Sequence, residues 1–192
     1  MSRPQNFDTL TVLQNATLVF WAQGYEATTL EDLLKATKLS KSSLYATFGG
    51  KRELFLAAFA EYRQERLRHM RRILGEEANG RDAITSFFRQ VIERSMAGEV
   101  AGCMAANEAV ELGPRDEDVR LAIAEDNDQV AALFEQAIRR GQIDGSIALT
   151  LDVGGLARAL LVYLQGIQVM ARAKTDVTAM KTAADLFLQV LG

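Results

Sequence analysis

Helical periodicity runs along almost the whole chain, and no segment alternates apolar and polar residues as a β-strand would. Apolar residues recur three and four positions apart, and glycines or hydroxyl and acidic capping residues interrupt the pattern. The pattern therefore predicts an all-α fold of about nine helices. The predicted ranges are 8–23, 30–36, 40–48, 51–74, 82–96, 103–112, 117–140, 152–172 and 177–191.

The composition is that of a globular chain able to bury a core. It has 192 residues, 48% of them hydrophobic, which suits one or two small domains. No run of 18 apolar residues predicts a membrane span, and the first ten residues lack the apolar segment of a secretion signal. A single cysteine excludes an internal disulfide. We expect a cytoplasmic protein without a membrane partner.

Charge is distributed unevenly between the two ends of the chain. Residues 1–72 hold 11 of the 22 Lys and Arg residues but only 7 of the 25 Asp and Glu residues. The N-terminal part is therefore basic and the remainder acidic, which favours a polyanionic partner for the first part. The alternative is that an excess of this size is ordinary scatter.

Two short predicted helices flank the turn Thr37-Lys38-Leu39, which is the spacing of a helix-turn-helix. The second helix has a thin apolar stripe, and its N-terminal end carries Ser40, Lys41, Ser42 and Ser43. Hydroxyl and ammonium groups at that end can donate to base edges and phosphates, as a recognition helix must. The alternative is a helical hairpin with a polar surface.

The residues around this turn resemble the N-terminal domain of the TetR (tetracycline repressor) family. The shared pattern is Phe20-x-x-x-Gly24-Tyr25, a threonine before the second helix, Leu44-Tyr45-x-x-Phe48 and a following Lys51. The resemblance implies an all-α homodimer that binds a pseudo-palindromic operator in double-stranded DNA through its third helix. It also implies that a ligand in the C-terminal domain releases the DNA.

The resemblance places residues of this chain on DNA position by position. Phosphate contacts fall to the start of the second helix and to Tyr45 and Lys51, and the residues from Ser40 to Ser43 lie in or beside the major groove. Two positions depart from the family pattern, because Lys38 replaces a usual glycine and Thr47 replaces a frequent histidine. The implied DNA-binding residues are Thr28, Thr29, Lys38, Ser40, Lys41, Ser42, Ser43, Tyr45, Thr47 and Lys51.

The predicted organisation is a three-helix DNA-binding domain over residues 1–51 and an effector-binding and dimerisation domain over 52–192, connected by the helix 51–74. Apolar stripes on the last two helices are candidates for a four-helix dimer interface, although both stripes could instead pack within one chain. The candidate interface residues are Leu156, Leu160, Tyr163, Leu164, Ile167, Met180, Phe187 and Leu191.

The C-terminal part offers two effector candidates. Aromatic, valine and methionine side chains at helical spacing could line a cavity, although such residues could equally be plain core. The second candidate is the thiol of Cys103. This residue stands at the predicted start of a helix, where backbone amides and the helix dipole favour a thiolate. The stretch from Gly102 to Glu108 also resembles a TetR branch in which a cysteine at this place senses oxidants or electrophiles in some members. An inert buried cysteine is the alternative. The candidate effector residues are Cys103, Met104, Phe87, Phe88, Val91, Phe134 and Tyr163.

Two other functional classes remain open from the residues alone. Cys103 could serve a thiol-based redox enzyme, or the chain could be a helical interaction protein without DNA binding. No base is placed near Cys103 in the sequence, and no metal-ligand cluster or glycine-rich phosphate loop is present. We therefore expect no catalysis, no metal and no cofactor, but a homodimeric repressor released by an unknown small-molecule or electrophilic effector.

Overall fold

The structure, a computed structural model, describes residues 7–96 and 102–191, with side chains placed for 7–94 and 102–191. These parts of the chain are helical and contain no strand, so the predicted all-α class is confirmed. The helices are α1 Thr9–Gln23, α2 Leu30–Thr37, α3 Lys41–Phe48, α4 Lys51–Glu76, α5 Gly80–Met96, α6 Met104–Glu111, α7 Glu117–Asp144, α8 Val153–Arg172 and α9 Val177–Leu188, followed by a short 3₁₀ helix, Gln189–Leu191. The predicted loop 98–102 lies outside the described residues except for Gly102.

Side-chain caps fix where most of these helices begin. The carboxylates of Asp8, Asp116 and Asp152 accept backbone N–H groups at the starts of α1, α7 and α8. At α2, Thr29 and Asp32 form a reciprocal capping box. Because each cap satisfies amides that have no partner within the helix, the helix starts follow closely from the sequence.

The end of α7 differs from its predicted position. We expected Gly141 to end the helix after Arg140, but α7 continues to Asp144 and ends at Gly145, whose φ is 81°. Gly141 instead lies at a tight contact, where a Cβ atom would meet the Ile147 side chain at 2.6 Å. The glycine therefore serves close packing inside a helix rather than a helix end.

Two hydrophobic cores share two long helices, α4 and α7. The head core is formed by α1–α3, the first half of α4, α6 and the start of α7, and includes Leu54 and Phe59 of α4. The body core is formed by the second half of α4 together with α5, α7, α8 and α9, and includes Met70 and Ile73 of α4. Any tilt of α4 therefore disturbs both cores.

Ion pairs hold α4 against α7 along its length. Arg52 at the start of α4 pairs with Asp116 at 3.1 Å and with Asp118 at 2.7 Å. Further along, Arg66 pairs with Asp126, whose side chain is only 1% exposed. Burial disfavours the charge of Arg66, but its neighbours Cys103, Asp126 and Tyr62 outweigh that effect and raise the arginine pKa.

One helix, α8, has the length and apolar composition to cross a membrane. Such a pattern is also found in the core helices of globular proteins, and one side of α8 is buried here. Its buried residues, including Leu160 and Leu164, belong to the body core. The apolar character of α8 is thus used for packing on one side, and its other side is exposed.

Candidate nucleic-acid interface and effector site

The turn before α3 has a left-handed backbone at Lys38, the position at which the resembled family usually has glycine. Lys38 ends α2 with φ 58° and ψ 20°, a conformation that costs a residue with a Cβ more than it costs glycine. The side chain of Lys38 is exposed. The turn therefore keeps the geometry of a helix-turn-helix and adds a positive charge beside it.

Hydroxyl groups cluster at the N-terminal end of α3. Ser40 is the N-cap, and its hydroxyl oxygen accepts the Ser43 amide at 3.1 Å. The same oxygen lies 3.0 Å from the Ser42 hydroxyl and 2.8 Å from the Ser43 hydroxyl. These groups surround the positive end of the helix dipole, a position suited to phosphate or to acceptor atoms on base edges.

The two faces of α3 differ in the way a recognition helix requires. Leu44 is fully buried in the head core, whereas Lys41 and Ser42 are exposed and Tyr45 is 49% exposed. Thr47 is partly buried. The buried leucine thus anchors a short helix whose outer face is polar.

Four further residues were expected to contact DNA phosphates, and three of them are accessible. Thr29 is exposed, Tyr45 protrudes from α3, and the Lys51 ammonium lies 4.4 Å from the centre of the Tyr25 ring. Thr28 is 1% exposed, and its hydroxyl donates to the Gly24 carbonyl at 2.6 Å. This burial corrects the expectation for Thr28, which closes the loop after α1 and has no surface to offer a phosphate.

The predicted effector residues fall into two separate places. Phe87, Phe88, Phe134 and Tyr163 pack in the body core, with ring centres 5.5–5.8 Å apart, and Val91 packs against the same core. Cys103 and Met104 instead belong to the head core. The sequence analysis grouped Met104 with the aromatic residues because it could not show that α6 turns toward the head.

Cys103 lies where α6 meets α4. It is buried and stands at the N-cap of α6. Its sulfur accepts a hydrogen bond from the Tyr62 hydroxyl, with 3.3 Å between sulfur and oxygen. The Tyr62 oxygen in turn accepts the Met104 amide at 3.2 Å. Burial, followed by the neighbouring Cys103, raises the pKa of Tyr62 well above its usual range. The Tyr62 ring also packs edge-on against Trp21 of α1, at 5.2 Å between centres.

A buried carboxyl on α6 escaped the sequence analysis. Glu108 is 0% exposed, and neither carboxyl oxygen has a hydrogen-bond partner. Burial and the nearby Glu111 raise its pKa to about 8, against an opposing effect of Arg172. The signal was available, because Glu108 lies midway between Met104 and Leu112 on the apolar face of the predicted helix.

Other polar groups join the head to α6 and α8 around Glu108. Arg172 of α8 donates to the carbonyls of Trp21 at 3.1 Å and Ala22 at 3.0 Å. Glu111 accepts the Glu26 amide at 2.7 Å. Trp21 Nε1 is buried without a partner, as is the side-chain amide nitrogen of Asn107. The head–body junction is the region formed by Trp21, Tyr62, Cys103, Asn107, Glu108 and Arg172.

Comparison with known proteins decides the family. Residues 12–58 match the model of bacterial regulatory proteins of the tetR family, and residues 80–187 match a tetracyclin repressor-like C-terminal domain. The chain belongs to the TetR family of regulators. It is a DNA-binding transcription regulator, and the partners expected for it, double-stranded DNA and a second copy of the chain, are those of the family.

Individual TetR relatives cover essentially the whole chain. An uncharacterised HTH-type transcriptional regulator of Bacillus subtilis, YezE, is 30% identical and covers 100% of both chains. The repressor ComR of Escherichia coli is 30% identical over 88% of this chain and 82% of its own. Among solved structures, a cysteine mutant of the TetR regulator CifR complexed with a 26-base-pair operator is 31% identical, covers 100% of both chains and has a TM-score of 0.88.

The last two helices of this TetR-family chain bury most of the residues we expected at the dimer interface. Leu156, Leu160, Leu164, Ile167, Met180 and Leu191 are buried inside the single chain, and Tyr163 stacks on Phe187 at 4.1 Å between ring centres. This corrects the choice of face, because the more apolar stripe of each helix packs into its own body core.

A second stripe of small and apolar residues remains exposed on both helices. Its members recur at alternating spacings of four and three, which is the pattern of a helix–helix seam. The seam consists of Gly155, Ala159, Val162, Gly166 and Val169 on α8, of Ala179, Ala183 and Leu186 on α9, and of Val190 in the 3₁₀ helix that follows.

The burial of Glu108 predicts a pH-dependent stability. Since its pKa is raised to about 8 from an ordinary 4.5, the folded chain holds this proton more tightly than the unfolded chain does. The folded chain therefore loses stability when this buried carboxyl ionises. That loss is absent below about pH 4.5, grows as the pH rises, and is complete above about pH 8. Glu108→Gln should raise the free energy of unfolding at pH 8.5 by about 2–4 kcal/mol and change it little at pH 5.

Urea unfolding at both pH values and one protein concentration measures this difference. The matched control is Glu31→Gln, which changes an exposed carboxyl on α2 and should follow the wild type at both pH values. A Glu108→Gln effect of equal size at pH 5 and pH 8.5 would contradict the titration of a buried carboxyl.

Proposed function

We propose that this chain is a cytoplasmic repressor that holds a pseudo-palindromic operator through α3 and releases it when the head–body junction is modified. The observation that carries the DNA-binding part is the division of α3 into a buried Leu44 face and an exposed face of lysine and hydroxyl groups. The named repressors among the relatives, including ComR and NemR of Escherichia coli, support the direction of control.

The proposed division of labour on DNA follows exposure. Ser40, Lys41, Ser42 and Ser43 contact base edges and nearby phosphates from the N-terminal end of α3. The backbone contacts fall to Thr29, Lys38, Tyr45, Thr47 and Lys51, without Thr28. Two heads of a homodimer would enter successive major grooves about 34–36 Å apart.

We propose residues 1–51 as the DNA-binding domain and 52–192 as the effector and dimerisation domain, with α4 as the connection. The support is that α4 packs into both cores and carries Tyr62, which contacts Cys103. A change at Cys103 therefore acts on the helix that positions α3. Control needs only that the effector favour a conformer with a different head separation.

The proposed trigger is covalent modification of Cys103 by an electrophile or oxidant. With an electron-poor alkene, the sulfur would bond to one carbon, the thiol would lose its proton, and the neighbouring carbon would gain one. With hydrogen peroxide, the O–O bond would break, the sulfur would take one oxygen to give a sulfenic acid, and water would leave. Either product would push the Tyr62 hydroxyl away from the sulfur. Added atoms cannot fit a site where sulfur, tyrosine and tryptophan are already in contact, so α4 or α1 must move. The solved reduced form of NemR, with a TM-score of 0.85 and 21% identity, supports the shared fold.

We propose regulation without catalysis at this thiol. The group in contact with Cys103 is the Tyr62 hydroxyl, and a tyrosine whose pKa is raised is a poor general base at neutral pH. The chain's one histidine, His69, contacts Arg72 and Arg94 instead. Nothing among the described contacts of Cys103 can take its proton efficiently.

We propose the exposed seam on α8 and α9 as the dimer interface. Glycine and alanine at five of its nine positions allow two helices to approach closely, and Val162 and Leu186 supply apolar area. Two copies of the seam related by a two-fold axis would form a four-helix contact. The seam lies wholly on α8, α9 and the 3₁₀ helix, so a dimer formed through it would leave both heads free to bind DNA.

Removal of one phosphate contact should be separable from removal of one base contact. Lys51→Ala should weaken binding to operator and random DNA alike and reduce the salt slope by about one unit. Ser42→Ala should instead change the preference among operator variants. Fluorescence anisotropy over a salt series measures both, and Lys181→Ala, an exposed lysine on α9, is the control. An identical uniform loss in the two variants would refute the assigned roles.

Thiol modification should release the operator only through Cys103. N-ethylmaleimide should lower the affinity of the wild type for its operator by about 5- to 150-fold, the usual range of allosteric coupling. Cys103→Ser should bind the operator and ignore the reagent. Anisotropy with mass spectrometry of the adduct measures this, and a wild type that is fully modified yet still bound would exclude Cys103 as the trigger.

A charge in the exposed seam should separate the two copies. Leu186 is 68% exposed in one chain, so Leu186→Arg costs the monomer little but places a charge inside the proposed interface. Light scattering after gel filtration should show the mass falling toward 21.1 kDa. Leu149→Arg, at a residue 79% exposed outside the seam, should stay dimeric. A dimeric Leu186→Arg would place the interface elsewhere.

A further inference from the structure

A cleft between α4 and α5 gathers cationic side chains away from both α3 and Cys103. Its volume is about 330 Å³, and it is lined by His69, Gln90, Glu93 and Arg94. Arg72, one turn after His69 on α4, also reaches the imidazole ring.

The contacts of the His69 ring cannot both be hydrogen bonds. A guanidinium nitrogen of Arg94 lies 2.7 Å from Nε2, and one of Arg72 lies 3.2 Å from Nδ1. Guanidinium nitrogens only donate, and a neutral imidazole has only one nitrogen able to accept. In either tautomer, one arginine therefore faces another N–H group.

The electrostatics agree with this geometry. Partial burial, followed by Arg94 and Arg72, lowers the pKa of His69, while Glu65 and Glu76 on α4 oppose the shift. Arg72 is paired with Glu76 at 2.6 Å, and Glu93 of α5 lines the cleft. Among the described side chains, no carboxylate forms an ion pair with Arg94. The cleft thus has hydrogen-bond donors in excess around the imidazole ring, although Glu65, Glu76 and Glu93 balance its positive charge.

We propose that this cleft binds a compact oxyanion of single negative charge, held by Arg94, Arg72 and the protonated His69. An oxyanion supplies several acceptor lone pairs, so it can receive all three donors that at present oppose one another. A single charge is favoured over a double one, because Glu65, Glu76 and Glu93 would repel a dianion more strongly. Carboxylates and the monoanion of phosphate share this chemistry.

The chain's one histidine provides the readout. In the full-length protein with ¹³Cε1-labelled histidine, one NMR resonance reports the protonation of His69. Titrations in chloride, in acetate and in inorganic phosphate at equal ionic strength should show the midpoint moving upward with either oxyanion, because a bound anion stabilises the imidazolium. The two oxyanion arms tell which of the two binds more tightly.

Two variants complete the test. Arg94→Gln should raise the His69 midpoint in chloride, because a repelling charge is gone, and should abolish the response to oxyanions. Arg139→Gln, at an exposed arginine on α7, should respond as the wild type does. A wild-type midpoint that is the same in all three salts, or an Arg94→Gln response equal to that of the wild type, would overturn the proposal.

Discussion

The buried ion pair between Arg66 and Asp126 holds together α4 and α7, the two long helices that contribute to both cores. Removing one partner of such a pair typically costs about 3–5 kcal/mol, since the other charge stays buried without compensation. Arg66 also lies within electrostatic reach of Cys103 and Tyr62. The fastening of α4 to α7 and the chemistry of the thiol are therefore parts of one buried polar network.

The same network extends into the head–body junction. Arg172 binds backbone carbonyls in the last turn of α1, and Glu111 binds a backbone amide in the loop after it. The contacts of α8 and α6 with the head therefore do not depend on which side chains the head carries at these positions. Glu108, Asn107 and Trp21 add buried polar groups without partners, which weakens the same region. A junction with a few strong contacts and several buried polar groups without partners favours two discrete arrangements over a gradual deformation.

Local chemistry was predictable from the sequence, whereas the choice between competing faces was not. The cap at Ser40 follows from residue type and short-range spacing, and it is present. The left-handed turn at Lys38 follows from the resemblance, in which a glycine is usual at this position, and it is present too. Gly141 was misread because a glycine that ends a helix and one that allows close packing look alike in sequence. The stripe of α8 that contains Leu160 was assigned to the dimer interface for a related reason. Only the tertiary contacts show that this stripe faces the core and that Val162, on the other side of the helix, is exposed.

The membership of α4 and α6 in the head core limits how regulators of this kind can exchange parts. A fragment ending at residue 51 lacks Leu54 and Phe59, and it also lacks Met104 and Ala105, which pack on the same core from α6. The helix-turn-helix is therefore not a self-sufficient cassette here. Recombination that transplants DNA specificity between such proteins must carry α4 along, and must also meet a recipient α6 whose surface already fits the incoming head.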